Sequence, residues 1–392
     1  MTLLARDPRA PFTLPGPVPS WDRRSRGVDW VLAGAALGLG LIGAVLVWAA
    51  TKNVPSLNGG NPQAFLYRHL VDVLIATALA VVAWRLDPRL LRLFGPAVYL
   101  ASLLGLLAVF AIGSTVNGAH AWIRLGGGFE VQPSEFMKLG MIVGMAVLFT
   151  QRAERGEEDP RPSNGDVLCA LGLVAVPLLL VILEPDLGSA MVLGFAALGV
   201  LVASGARARW TVGLVLLGVV VAVIAVKAGL LADYQLKRFS SFTHPNQDVQ
   251  GAAYNVTQAH IAIANGGLFG KGLFAGSQTN GGFVPEQQTD FVFSVAGEEF
   301  GLLGGVVIIA LFAVLCWRGL RIARAADRVG RLVAVGVVCW IAFQAFQNIG
   351  MTLGLTPVTG LPLPFVSYGG SSMFAQGLAV GLLQAVHRRS SA

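Results

Sequence analysis

Charge is scarce in this chain. Of its 392 residues, 12% are Asp, Glu, Lys or Arg, against roughly 25% in an ordinary soluble domain. Lysine is rarer still, with 5 in the whole sequence, and cysteine is limited to Cys169, Cys316 and Cys339. All three cysteines sit inside apolar runs without metal-ligand spacing, so they read as small core residues, not as a zinc site or a disulfide framework. The amino terminus is rich in proline and arginine and has no apolar stretch beside its start, so it reads as a cytoplasmic tail, not a cleaved signal peptide. No internal repeat is visible. A P-loop is excluded at Gly270-Lys271-Gly272, because Asn265 stands where the first glycine belongs and Gly272 replaces Ser/Thr.

Apolar residues fill the space that charge leaves. They make up 55% of the chain, and the mean hydropathy is +0.68. Hydrophobic runs of spanning length, roughly 17–25 residues, occur at ten places. They are Trp30–Ala50, Phe65–Trp84, Leu90–Ile112, Ser134–Thr150, Val167–Leu183, Leu187–Ser204, Val212–Leu231, Phe293–Trp317, Leu332–Gly350 and Ser372–Val386. The 49 glycines suit close helix packing in lipid. The expected fold is an all-α polytopic membrane protein of about ten transmembrane helices, packed as one bundle over residues 29–387. A tail, 1–28, precedes it and a short one, 388–392, follows.

Basic residues orient the bundle. Of the 28 Lys and Arg, 20 fall on one side, including Arg85, Arg207, Arg209, the run from Arg318 to Arg331, and Arg388 and Arg389. The positive-inside rule makes that side cytoplasmic and puts both termini there. The net charge of +7 is therefore a set of topology anchors, and nucleic acid is excluded as a partner. Residues 233–292, polar and glycine-rich, form a long extracytoplasmic loop between the seventh and eighth spans, and 114–133 and 351–371 form shorter ones.

Chemistry is expected in those outer segments. Asp290 directly precedes the apolar Phe291-Val292-Phe293, so it is either a general base whose pKa is raised by partial desolvation or the N-cap of the next helix. Glu135 and Lys138 share a helix face, with Ser134 as N-cap; Lys138, a turn inside the membrane, must pair with Glu135 or face a wet cavity. Arg124 beside Trp122 is an anion ligand or an interfacial anchor. Lys271, flanked by glycines, can present its ammonium and nearby backbone N–H groups to an anion. With Arg238 these cations place positive charge where the positive-inside rule predicts little, which suggests a polyanionic ligand such as a diphosphate. Arg68 and Asp72 read as a helix ion pair. Thr356 to Gly370 carries three prolines at helix-breaking spacing and reads as a re-entrant loop that walls a site.

The motifs Trp122-Ile123-Arg124-Leu125-Gly126, Gln132-Pro133-Ser134-Glu135…Lys138, Pro185-Asp186-Leu187-Gly188, Asp233-Tyr234-Gln235…Arg238, Gly270-Lys271-Gly272, Pro285-Glu286…Thr289-Asp290-Phe291, Asn348-Ile349-Gly350-Met351 and Pro357-Val358-Thr359-Gly360-Leu361-Pro362…Ser367-Tyr368-Gly369-Gly370 follow one another along the chain. With them the sequence resembles the SEDS family (shape, elongation, division and sporulation), its rod-shape branch, RodA, more than its division branch, FtsW. Gln288 stands where many relatives have histidine.

The resemblance implies a peptidoglycan glycosyltransferase of the bacterial cytoplasmic membrane, polymerising lipid II on the outer face for elongation and shape. It also implies a class B penicillin-binding protein and elongation-complex proteins as partners. Asp290 would be the essential acidic residue. Arg124, Lys138, Arg238, Lys271, Glu135, Glu286, Ser367 and Tyr368 would contact substrate, with a divalent cation, Mg or Mn, on ligands not identifiable from sequence. The alternatives are a flippase for the lipid-linked precursor and a division-type polymerase.

Overall fold

The computed structural model describes residues 27–86, 90–116, 119–126, 129–154, 161–227 and 252–390. Its helices are α1 (Trp30–Lys52), α2 (Pro55–Asn58), α3 (Ala64–Arg85), α4 (Leu90–Ile112), α5 (Pro133–Glu154), α6 (Asn164–Leu183), α7 (Leu187–Ala203), α8 (Ala208–Lys227), α9 (Ala252–Gly266), α10 (Ser277–Gly281), α11 (Val292–Ala325), α12 (Arg328–Thr352) and α13 (Gly370–Ser390). Among the described residues, 8 helices are long and apolar enough to cross a membrane: α1, α3, α4, α5, α6, α8, α11 and α12. The 17 residues of α7 are apolar but shorter. In α13 the polar side chains face inward: Gln376 accepts from Phe365 N at 2.7 Å, and Gln384 exchanges bonds with both backbone groups of Asp29. Polar groups inside a membrane bundle survive when partnered in this way. The chain is a multi-pass membrane protein.

Burial separates centre from rim. The apolar stretch of α5 is 78% buried and that of α12 is 67%, whereas that of α8 is 0%. So α5 and α12 form the middle, and α8 lies at the rim, with Leu214 turned to the core and Val212, Val215, Leu216, Leu217, Val219, Val220, Val221 and Val223 exposed. Small residues permit the closest contact. A Cβ on Gly377 or Gly381 of α13 would come within 2.4 Å of Ala76 O or 2.2 Å of Ala80 O on α3. This is the small-residue packing expected where apolar burial cannot drive helices together.

The arginine-bearing ends gather at one end of the bundle. Asp29 caps α1 by accepting from Val31 and Leu32 N, and it receives Arg318 of α11 as an ion pair. Arg389 pairs with Asp327 at 3.2 Å, and Arg388 donates to Leu86 O at 3.2 Å.

The opposite end is less regular. Residues 114–131, expected as a plain loop in an all-helical chain, form an antiparallel sheet of β1 (Ser114–Val116), β2 (Ala119–Gly126) and β3 (Phe129–Val131), with Arg124 opposite Glu130. His120 of β2 meets Val109 O of α4 at 3.1 Å, which ties the sheet to the bundle. The expected loop at 233–292 also contains structure, since α9 and α10 pack beside α11. Residues 228–251 lie outside the described residues.

Candidate active site

The site end is organised around the turn that leads into α11. Glu286 takes φ +53°, and its carbonyl accepts from the N–H groups of Thr289, Asp290 and Phe291 at 3.1, 3.0 and 3.2 Å. Its carboxylate closes the same turn, accepting from Thr289 Oγ1 at 2.9 Å and Gln288 Nε2 at 3.3 Å. Asp290 is half-buried at the end of this turn. The cap position of α11 falls on Phe291, which makes no side-chain bond there, so Asp290 lies one residue ahead of the cap.

Neighbouring segments clamp this turn through its main chain. From the re-entrant segment, Ser367 Oγ donates to Thr289 O and Tyr368 N donates to Gln288 O at 2.9 Å. From α12, Asn348 Nδ2 donates to Asp290 O at 2.8 Å and to Leu361 O at 2.7 Å. Within the turn itself, Gln287 Nε2 reaches Ala50 O of α1 at 2.6 Å and Thr279 O of α10 at 3.0 Å. Asp290, Glu286, Ser367 and Tyr368 are thus brought together.

Glu298 and Glu299 support the turn from behind. Glu298 is fully buried, and its carboxylate caps α10, accepting from Gln278 N, Thr279 N and Thr279 Oγ1 at 2.9, 2.8 and 2.7 Å. Glu299 accepts from Phe274 N at 2.9 Å. Helix α11 breaks at Gly301 (φ 66°, ψ −160°), a conformation open essentially to glycine alone. The carbonyls of Glu298 and Glu299 take up Lys271 N and Gly272 N at 2.9 and 3.0 Å. A Cβ on Gly270 would sit 2.1 Å from Glu299 O. The glycines beside Lys271 therefore serve backbone packing against α11. The N–H groups that sequence reading offered to an anion are already bonded; the ammonium of Lys271 remains exposed.

Lys138 and Glu135 lie under the re-entrant segment. Their side chains are 0% and 1% exposed and 2.6 Å apart. Lys138 also donates to Gln344 Oε1 at 3.2 Å and sits 5.6 Å from the Trp340 ring centre, while Gln344 Nε2 donates to Pro362 O at 3.0 Å. The ion-pair reading of Lys138 describes this geometry, and Gln344 ties the pair to the loop above. Ser134 is not the cap of α5: Pro133 is the first helical residue and Ser134 Oγ has no partner, in keeping with the preference of proline for that first position.

Arg124 is 65% exposed and pairs with Glu130 at 3.0 Å. The carbonyl of Glu130 accepts from Ser371 Oγ at 3.0 Å, which joins the sheet to the start of α13. The Arg68 guanidinium sits 5.7 Å from the Phe65 ring centre, and Phe65 packs edge-on to the Tyr368 ring at 4.9 Å, which joins α3 to the re-entrant segment. Arg238 lies outside the described residues. Among the described residues, no group of three or more His, Cys, Asp or Glu side chains is arranged to hold a metal ion.

Sequence reasoning did not single out Gln344 and Gln347, and it treated Asn348 only as part of a motif. Their spacing, i, i+3 and i+4 on an apolar helix, marks one polar face directed into the bundle. That pattern is visible in the sequence.

Between α6 and α7, Asp186 caps α7 by accepting from Ser189 N at 2.9 Å and receives Gln132 Nε2 at 2.9 Å. Beside it Glu184 is 1% exposed, and neither carboxylate oxygen has a hydrogen-bond partner. Burial, with Asp186 adding like charge, raises its pKa from 4.5 to about 8. The folded protein therefore keeps a proton that the unfolded chain releases above pH 4.5, and stability falls as pH rises from 4.5 towards 8. Glu184→Gln is expected to flatten the dependence of the thermal midpoint on pH in that interval. Parallel curves for the wild type and the variant would refute a buried neutral carboxyl.

A multi-pass helical bundle with a carboxylate-bearing turn clamped against the irregular segment 357–369 defines the class: a polytopic helical membrane protein. Residues 29–392 match the family FTSW_RODA_SPOVE, described as cell cycle protein. A probable peptidoglycan glycosyltransferase FtsW of Geobacter metallireducens is 36% identical over 364 residues, 92% of this chain and 95% of the relative. Peptidoglycan glycosyltransferase MrdB of Escherichia coli is 35% identical over 90% of this chain and 91% of its own length. Among solved structures, Thermus thermophilus rod shape determining protein RodA superposes with a TM-score of 0.67 at 30% identity, covering 92% of this chain and 97% of that one. A chain from a peptidoglycan synthase complex that coordinates polymerization and crosslinking reaches 0.75 at 31% identity, covering 93% and 98%. The chain belongs to the FtsW, RodA and SpoVE family, the SEDS family of the sequence reading.

Proposed function

We infer that this chain is a peptidoglycan glycosyltransferase that polymerises lipid II at the outer face of the bacterial cytoplasmic membrane. The observation that carries the reading is the turn of Asp290, a half-buried carboxylate whose main chain is held from α12 and from the re-entrant segment. A fixed, partly desolvated carboxylate suits a general base. In the proposed reaction Asp290 takes the proton from the 4-hydroxyl of the acceptor sugar. That oxygen attacks the anomeric carbon of the donor sugar with inversion, and the bond to undecaprenyl diphosphate breaks. Arg124, Lys271 and Arg238 stabilise the departing diphosphate; Lys138, buried on Glu135, adds a fixed positive field from below. Glu286 shapes the turn, Ser367 holds it, and Tyr368 lines its approach.

A divalent cation, Mg or Mn, would supply further positive charge to the diphosphate; among the described residues no cluster of His, Cys, Asp or Glu would hold it, so its ligands would come largely from the substrate and water. The outer-face assignment rests on the positive-inside count, 20 of 28 basic residues on the other side. The chain of a synthase complex among its structural relatives supports a class B penicillin-binding protein as transpeptidase partner. Asn348-Ile349-Gly350-Met351-Thr352 favours an elongation role with elongation-complex proteins over a division role.

Purified protein incubated with lipid II and Mg²⁺ or Mn²⁺, alone and with its transpeptidase, should yield glycan strands and lose that activity in EDTA. Lipid II translocation across liposomes without strand formation would replace this reading with a flippase.

A further inference from the structure

We propose that Asn348 is a positioning residue for Asp290, setting where the proposed base stands by holding its main-chain carbonyl. The inference rests on the role given to Asp290 above.

Asn348 is 0% exposed in α12. Its Nδ2 donates to Asp290 O at 2.8 Å and to Leu361 O at 2.7 Å, and its Oδ1 has no partner. Both neighbours of the amide nitrogen are carbonyl oxygens, so the amide has one workable orientation: a flipped side chain would set oxygen against oxygen. Leaving a buried acceptor unpaired lowers stability, and an apolar side chain of similar size would avoid that loss. Asn348 therefore does something other than fill space. It ties the carboxylate-bearing turn to the re-entrant segment across α12, and it reaches the carbonyl of the very residue whose side chain must meet the acceptor hydroxyl.

Position matters steeply at such a group, since displacement of a catalytic atom by about 1 Å can lower a rate about 10²-fold. Gln347, the preceding residue, provides the comparison. It is 4% exposed and donates to Pro357 O at 3.1 Å. It thus ties α12 to the same re-entrant segment but holds no group of the 286–290 turn in the bonds seen here.

The test compares Asn348→Ala with Gln347→Ala, measuring kcat and KM for lipid II polymerisation and the thermal midpoint in detergent. Asn348→Ala is expected to lower kcat by about 10²-fold with KM nearly unchanged, while Gln347→Ala keeps kcat close to the wild type. Equal losses in the two variants, or an unchanged kcat in Asn348→Ala, would overturn the inference. If Asn348→Ala does not fold, Asn348→Ser, which keeps one donor, is judged by the same comparison. Wild type and Asp290→Asn are run in parallel. An inactive wild type or an active Asp290→Asn rejects the reading of Asp290 itself, whereas matching Asn348 and Gln347 variants reject only the positioning role.

Discussion

Asp290→Asn is expected to lower glycan polymerisation from lipid II by about 10²–10⁴-fold, the usual contribution of general acid–base catalysis. Folding and membrane insertion should be unchanged. The reason is local. The clamp on this residue runs through its backbone, with Asn348 Nδ2 on Asp290 O and Asp290 N on Glu286 O. Asparagine keeps that backbone and the side-chain volume while removing the charge that accepts the proton. The substitution therefore separates chemistry from architecture. The checks are strand formation from lipid II, elution as a single species and an unchanged thermal midpoint. Near wild-type polymerisation would remove Asp290 from the mechanism.

The second large effect is on stability. Lys138→Met leaves Glu135 buried with both oxygens unpaired, since Oε2 already lacks a partner. Breaking a buried ion pair by removing one partner costs about 3–5 kcal/mol. Replacing both members by apolar residues of similar volume is often neutral, so Glu135→Leu/Lys138→Met should recover most of the lost stability. It should not recover polymerisation, if the positive field of Lys138 acts on the diphosphate. Unfolding in detergent and strand formation, measured on the two single variants and the double, decide both points. A double variant as unstable as Lys138→Met would show that the ion pair is not what the single change disrupts. A stable, active double variant would show a purely structural pair.

Parts of this site were legible because their signals are local. Asp290 stood out as a carboxylate at the mouth of an apolar helix, and Glu135 and Lys138 as a pair one helical turn apart. Three prolines between Thr356 and Gly370 announced irregular backbone, and residues 357–369 are indeed non-helical. The resemblance to a known family added weight to each of these residues.

Other features depended on distance in space. The glycines around Lys271 looked like a means of binding an anion through backbone N–H groups. Packed against the break at Gly301, they bring two backbones together instead, and the N–H groups of Lys271 and Gly272 bond to α11. Local sequence suits both uses equally. The sheet at 114–131 was hidden for a related reason: β1 and β3 are 3 residues each, too short to carry a period, and they become strands only by pairing with β2.

By itself the sequence determined the solvent and the multi-pass helical class, and it offered a reading of the sense of insertion. Each follows from composition and placement along the chain: few charges, long apolar runs, arginines on one side. Only the tertiary structure decided what holds Asp290, because those bonds join residues as far apart in sequence as Ala50, Thr279, Asn348 and Ser367. Their partners are mostly backbone carbonyls, which every residue type carries. A hydrogen bond to a carbonyl leaves no mark on the identity of the residue that accepts it, so no pattern of side chains could have announced the clamp.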